Sequence, residues 1–171
     1  MKNDVKALIY RGRVFDLVRR RRRLPGGCTA DVEVIEHPGA ALIVPFLDRD
    51  RVILLRQFRP AINRWLYEFP AGTREDHESL LNCARREIRE EAGYAASRIS
   101  FLGKIYPVPG YATEQISIYK AEGLKMSPGA KDRDEVIHAK IFTRRGVQQL
   151  WHKGLIRDAK TICALALCGW L

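Results

Sequence analysis

Glu87, Glu90 and Glu91, inside Arg86-Glu87-Ile88-Arg89-Glu90-Glu91-Ala92-Gly93-Tyr94, are the residues of this chain whose spacing can do chemistry. If residues 79–92 are helical, the three stand at i, i+3 and i+4 and share one face. Like charges placed so repel by roughly 0.2–0.5 kcal/mol per pair. A divalent cation removes that conflict. Carboxylate oxygens suit a hard ion such as Mg²⁺, which commonly bridges to phosphates. A solvated acidic face is the ordinary use of a lone Glu-Glu pair. Here Arg85, Arg86 and Arg89 surround the acids, and Gly72 and Gly93 bracket the segment.

The neighbours have physical tasks of their own. Gly93 sits where the helix should end, as a left-handed C′ residue. Arg86 lies four residues before Glu90, so its planar fork can hold that carboxylate. Leu81, Ala84 and Ile88 repeat on another face and predict packing onto a sheet. Gly72, after Pro70-Ala71, is read as permitting the turn that brings a strand end beside the helix.

Gly72, Glu78, Arg86, Glu87, Ile88, Glu90, Glu91 and Gly93 fall in the register G-x5-E-x7-R-E-U-x-E-E-x-G-U, where U is bulky and aliphatic. The segment therefore resembles the Nudix box, with Tyr94 departing from the last aliphatic position. The resemblance implies an α/β (α+β) fold, a Nudix-type α/β/α sandwich with a mixed sheet, and Mg²⁺- or Mn²⁺-dependent hydrolysis of a nucleoside diphosphate linked to another group. His37-Pro38-Gly39, Arg56-Gln57-Phe58-Arg59, Glu68-Phe69-Pro70-Ala71-Gly72, Tyr106 to Tyr111 and the tail Gly154 to Thr161 look like the ADP-ribose and nucleoside-diphosphate-sugar branch. Pro109, sixteen residues after Gly93, holds the position associated there with ADP-ribose.

Carried over residue by residue, the branch implies that the Ala71 carbonyl, Glu87, Glu90 and Glu91 bind metal. Arg59 would contact the pyrophosphate or terminal ribose, Glu114 a ribose hydroxyl, and Glu36 the region of the adenine. The general base would be Glu135, in Asp132-Arg133-Asp134-Glu135, or else Glu90. Each has a plainer use: a surface arginine, exposed acids, a type II turn at Pro109-Gly110, a solvated acidic turn. The branch also implies a homodimer that exchanges its N-terminal strands, with Tyr10 or Phe15 stacking on the base or packing in the core.

The elements that must position these groups can be read from pattern. Short strands are predicted at 7–10, 14–18 and 30–36, forming a subdomain over residues 1–37 ahead of a catalytic domain over 38–171. The apolar run Ala40–Phe46 and the segment Arg51–Phe58 predict a hairpin through Asp48-Arg49-Asp50. Further strands are predicted at 65–69, 100–106, 115–121 and 136–142, with a loop over 125–133. Helices are predicted from Arg144 to Lys153, capped by Thr143, and from Asp158 to Cys168. Strands mixed with a few helices indicate an α+β or layered α/β architecture.

Composition excludes little else. No stretch approaches the ~20 apolar residues of a membrane span, and Met1 to Lys6 shows no secretory signal. Cys28, Cys83, Cys163 and Cys168 have no metal-binding spacing and read as reduced, buried thiols of a cytoplasmic protein. The charge is unusual: 30 Lys+Arg against 20 Asp+Glu give +10. Much of it lies in Arg19–Arg23, read first as a solvated hairpin face and second as a nucleic-acid contact. The second reading would suit an RNA-directed enzyme trimming or binding 5′ ends. Aromatic residues for stacking are sparse around the run, which disfavours it.

Overall fold

The computed structural model describes residues 6–130 and 136–171. Its first three strands form a sheet of their own: β1 (Lys6–Arg11), β2 (Asp16–Arg23) and β3 (Thr29–Glu36), antiparallel in the order β1-β2-β3. The arginine run is thus a strand, and its register explains it. Arg19 lies opposite Glu33 and Arg21 opposite Asp31, with ion pairs of 2.9 Å each, and Arg20 pairs with Glu36. Opposite charges directly across an antiparallel pair favour that pairing. Arg19, Arg20 and Arg21 of the run are therefore paired within this sheet.

Two further sheets carry the core. One has the order β10-β5-β6, from β5 (Arg51–Arg59), β6 (Arg64–Glu68) and β10 (Ile137–Thr143). The other has the order β7-β4-β9-β8, from β4 (Ala40–Pro45), β7 (Ala71–Thr73), β8 (Tyr94–Ile105) and β9 (Ile116–Met126), with β4 and β9 parallel. Helix α1 (Leu80–Glu87) covers one side, where Ala41, Ile43 and Ile53 meet Cys83, Ala84 and Ile88. Helices α2 (Arg144–His152) and α3 (Ala159–Leu167) cover the other, where Leu42, Val44, Val52 and Leu54 meet Val147, Ala164, Leu165 and Trp170. This is the expected α/β/α arrangement with a mixed sheet. Thr143 Oγ1 accepts the Gly146 N–H at 3.1 Å and Asp158 Oδ2 the Thr161 N–H at 2.9 Å, so both predicted caps are in place.

The hairpin predicted between 40–46 and 51–58 does not form. Its turn closes, with the Leu47 N–H on Arg51 O at 2.9 Å and one bridge from Phe46 to Val52, but β4 and β5 then enter different sheets. Both strands are apolar on both faces, and each needs cover on two sides. β4 gains that cover between antiparallel β7 and parallel β9, and β5 between antiparallel β10 and β6, with helices packed over the layers. A hairpin with one wet face would not provide it. The strand predicted at 100–106 begins earlier, at Tyr94, and β9 runs on to Met126 into the predicted loop. Cys28 is exposed, not buried, because it lies in the turn after Gly26-Gly27; Cys83 is buried, and all four thiols are free. No helix among the described residues is long and apolar enough to cross a membrane.

Candidate active site

The acidic segment begins as an ordinary helix and ends as a wider one. Ser79 Oγ accepts the Asn82 N–H at 3.2 Å and starts α1. Residues Ile88–Ala92 then form a π-helical turn that Gly93 closes at φ +79°, its N–H reaching the carbonyls of Ile88 and Arg89. The prediction of one continuous α-helix is corrected here, since Glu90 and Glu91 sit on the widened turn. Such turns recur at functional sites because they redirect side chains without breaking the helix.

Three placements converge. Glu91 is 4% exposed, and its Oε2 accepts the Ala71 N–H at 2.8 Å. Glu87 is 7% exposed and lies over Gly72, where an added Cβ would fall 1.7 Å from Glu87 Oε1. Gly72 belongs to β7 with no left-handed φ. Its smallness makes room for that carboxylate, which replaces the turn reading. Arg86 ties the group together: Nη1 meets Glu87 Oε1 at 2.6 Å and Glu90 Oε2 at 3.0 Å, while Nε and Nη2 hold the two Glu78 oxygens at 3.1 Å each. Nη2 also reaches the Thr73 carbonyl at 3.1 Å. Burial works against the Arg86 charge, but Glu78, Glu87 and Glu90 outweigh it and raise its pKa. Burial likewise opposes the Glu78 charge, and the Arg86 fork more than offsets it, holding Glu78 below the ordinary carboxylate value.

As the side chains stand, no three His, Cys, Asp or Glu groups among the described residues are arranged to ligate one ion. Glu87 and Glu90 share an Arg86 nitrogen instead. The donor chemistry still fits a hard divalent cation: carboxylates and backbone oxygen bordering a cavity of about 490 Å³. That cavity is lined by Ala71, Gly72, Glu87, Glu90 and Glu91, and also by Arg13, Val14 and Pro38.

Arg59 stands on β5, outside the lining of that cavity. Its fork is bidentate on Glu68, at 2.8 and 2.7 Å, and Glu68 also pairs with Lys160. Glu68 is fully buried. Burial opposes its charge, and Arg59 and Lys160 overcome this, holding its pKa below the ordinary value. Arg59 still feels the Glu91 charge, but it does not line the cavity. Glu36 lies in the first sheet, paired with Lys6 and Arg20, beside a second recess lined by Gly12, Arg13, Phe15, Pro38 and Thr113. Pro109 is exposed in a loop that β3 stitches in place, through Ile35 N–H to Tyr111 O at 2.8 Å and Thr113 N–H to Ile35 O at 2.9 Å. Glu114 follows, half-buried. Tyr10 and Phe15 are exposed, at 61% and 41%. Glu135 lies outside the described residues.

Sequence reasoning missed Arg13 and Val14, which reach the acidic cavity from the β1–β2 turn and have no local signal. It also missed Lys160, although the tail containing it carried a resemblance. Two checks follow from this geometry. Gly72→Ala is expected to lower turnover about 10–100-fold, the usual scale for displacing a ligand's support, with little change in thermal midpoint; wild-type turnover would contradict the close approach. Burial, with the Glu87 and Glu78 charges, pushes the Cys83 thiol up to about 12. Iodoacetamide should therefore modify exposed Cys28 in the native chain and spare Cys83 until denaturant is added, as peptide mapping would read.

Comparison with known proteins adds a separate line. The family description "NUDIX domain" matches residues 36–163. An ADP-ribose pyrophosphatase of Bacillus subtilis (strain 168) is 32% identical over 166 residues, covering 96% of this chain and 90% of that protein. A methanol dehydrogenase activator of Bacillus methanolicus is 31% identical over 159 residues, covering 92% and 86%. A crystal structure of an ADP compounds hydrolase superposes with a TM-score of 0.80 at 23% identity, covering 98% of this chain and 93% of that one, a likeness of fold.

Proposed function

This chain belongs to the NUDIX family of hydrolases, and from that premise we propose that it is a metal-dependent pyrophosphohydrolase of ADP-ribose or a related nucleoside diphosphate sugar. The products are a nucleoside monophosphate and a sugar phosphate. One observation carries the reading: buried Glu87 and Glu91, with Glu90, border one cavity, Glu87 and Glu90 held by Arg86 and Glu91 by the Ala71 N–H. The curated relative named for ADP-ribose supports the substrate class.

Glu87, Glu90, Glu91 and the Ala71 carbonyl are the proposed holders of Mg²⁺ or Mn²⁺. An ion held by these groups would supply positive charge for the pyrophosphate and the attacking water. The protein does the rest. Arg86 fixes Glu87 and Glu90 in advance, and the Ala71 N–H fixes Glu91, so little reorganisation is needed during the reaction. Arg13, at the cavity wall, places positive charge toward an anionic substrate. Arg59 is the proposed contact for the pyrophosphate or terminal ribose, presented by its bidentate bond to Glu68. Glu36 and Glu114 hold the nucleoside side, with the Pro109 loop shaping it. Glu135 takes the proton of the attacking water, and Glu90 is the alternative base.

The proposed domains are 1–37 and 38–171, with the first exchanged in a homodimer. In support, β1 exposes Leu8, Ile9 and Tyr10 at 47, 48 and 61%, a long apolar edge strand that a partner would cover. Free thiols fit a cytoplasmic setting. The RNA-directed reading is weakened by the arginine run, whose charges meet Glu33, Asp31 and Glu36.

Incubation with Mg²⁺ and ADP-ribose, ADP-glucose, GDP-mannose, dinucleoside polyphosphates and 5′-triphosphate RNA tests the proposal, with products separated by chromatography. AMP and ribose 5-phosphate from ADP-ribose are expected. Inertness toward every sugar nucleotide overturns the substrate class. Light scattering reads the dimer.

A further inference from the structure

The segment after β9 folds back over the widened turn of the acidic helix. The Ser127 N–H donates to Gly93 O and the Gly129 N–H to Arg89 O, both at 2.9 Å. Arg89 O also accepts the Gly93 N–H, at 3.2 Å. The last carbonyls of any helix lack donors from beyond its end. Two amides from another part of the chain bond Arg89 O and Gly93 O here, the first in addition to the Gly93 N–H.

Gly129 allows this approach. A Cβ built on it would stand 3.0 Å from Glu90 Cγ, 3.1 Å from Glu90 N and 3.2 Å from Arg89 C. Two of those three atoms are main chain and cannot swing aside. Gly129 does not have a left-handed φ, so glycine is needed there for space, not for backbone conformation. Contacts of this kind tie the loop directly to the peptide that carries Glu90.

We propose that Gly129 is a positioning residue for the acidic turn: its loop splints residues 88–92 in the widened form and thereby aims Glu90 and Glu91. The inference rests on the reading that Glu87, Glu90 and Glu91 hold a divalent cation. Any side chain at 129 must lift the loop or rotate Glu90. Rotation moves Glu90 Oε2 from its 3.0 Å contact with Arg86 Nη1, and lifting weakens the Gly129 N–H bond to Arg89 O that braces the turn. Glu91 is the next residue of the same turn, and its 2.8 Å bond to the Ala71 N–H leaves little slack for a backbone shift. The two carboxylates are therefore displaced together, while α1 and the sheets stay as they are.

Gly129→Ala, titrated with Mn²⁺ by electron paramagnetic resonance beside the unaltered chain, tests this. The variant should bind Mn²⁺ at least about tenfold more weakly, the scale of losing a ligand's support, with an unchanged circular dichroism spectrum. Its kcat should fall more than its KM rises, and excess Mn²⁺ should restore part of the loss. Equal Mn²⁺ affinity in both proteins overturns the inference and leaves the metal reading standing. No Mn²⁺ binding by the unaltered chain overturns both. Should the variant fail to fold, amide exchange in the unaltered chain decides: the Ser127 and Gly129 amides should exchange as slowly as those of α1, and free-loop rates overturn the splint.

Discussion

Glu91→Gln is expected to lower kcat by at least about 10²-fold, the loss typical of one preorganised electrostatic group, without unfolding the protein. The two parts of that expectation have different causes. Glutamine keeps an oxygen that can accept the Ala71 N–H, the 2.8 Å bond that joins the widened turn to β7, so the local fold survives. What it loses is the negative charge, which a hard cation requires of its ligands. Steady-state release of AMP from ADP-ribose reads the first effect, and a thermal midpoint within a few degrees of the unaltered chain reads the second. A Glu91→Gln enzyme of near-normal turnover would refute the assignment of Glu91 as a ligand. Collapse of the fold would instead show that the carboxylate charge is structural.

Glu68→Gln is expected to have the largest effect on stability. Glu68 is fully buried and carries the charges of Arg59 and Lys160, while Lys160 also meets Asp158 at 2.9 Å. Removing one partner of a buried pair costs about 3–5 kcal/mol because the remaining charge is left uncompensated. The Arg59 side chain is 35% exposed and can be partly solvated, so the lower end, about 3 kcal/mol, is expected. At about 2–4 °C per kcal/mol for a domain of this size, the thermal midpoint should fall by roughly 10 °C. The pH dependence has a definite sign. Glu68 has a folded pKa below its ordinary 4.5, so its contribution is complete above that value and fades as pH falls through the folded one. The gap between Glu68→Gln and the unaltered chain should therefore be constant near neutrality and close under acid. Equal acid-denaturation midpoints with equal neutral stability would contradict the role given to this cluster. Because Phe69 N–H bonds Thr161 Oγ1 at 3.0 Å beside it, the variant should also loosen α3, visible as faster amide exchange there.

Some of this molecule was legible because the governing physics is local. The carboxylates of Glu87, Glu90 and Glu91, the Arg86 to Glu90 spacing and the helix-ending Gly93 depend on neighbours within about one turn. The same holds for Thr143 and Asp158, whose side chains cap the residues just after them. The paired arginines of β2 were half legible: the run was read as a solvated hairpin face, and only the register with β3 revealed which acids pair with them.

Other features have no local cause. Whether Ala40–Phe46 pairs with its neighbour or with a distant strand depends on which arrangement covers both apolar faces, a property of the whole core. Gly72 is small because Glu87, fifteen residues on, occupies the space above it, and Gly129 because a helix from earlier in the chain passes beneath. Arg59 was read as a substrate contact or a surface arginine, and its partner Glu68 was only a residue in a motif until the β5–β6 pairing brought them together. Residue types and short spacings therefore determined the acidic chemistry and the helix ends. Which backbone presses on those acids, and which cations they share, was decided by packing, because steric exclusion and desolvation act between surfaces that meet only once the chain is folded.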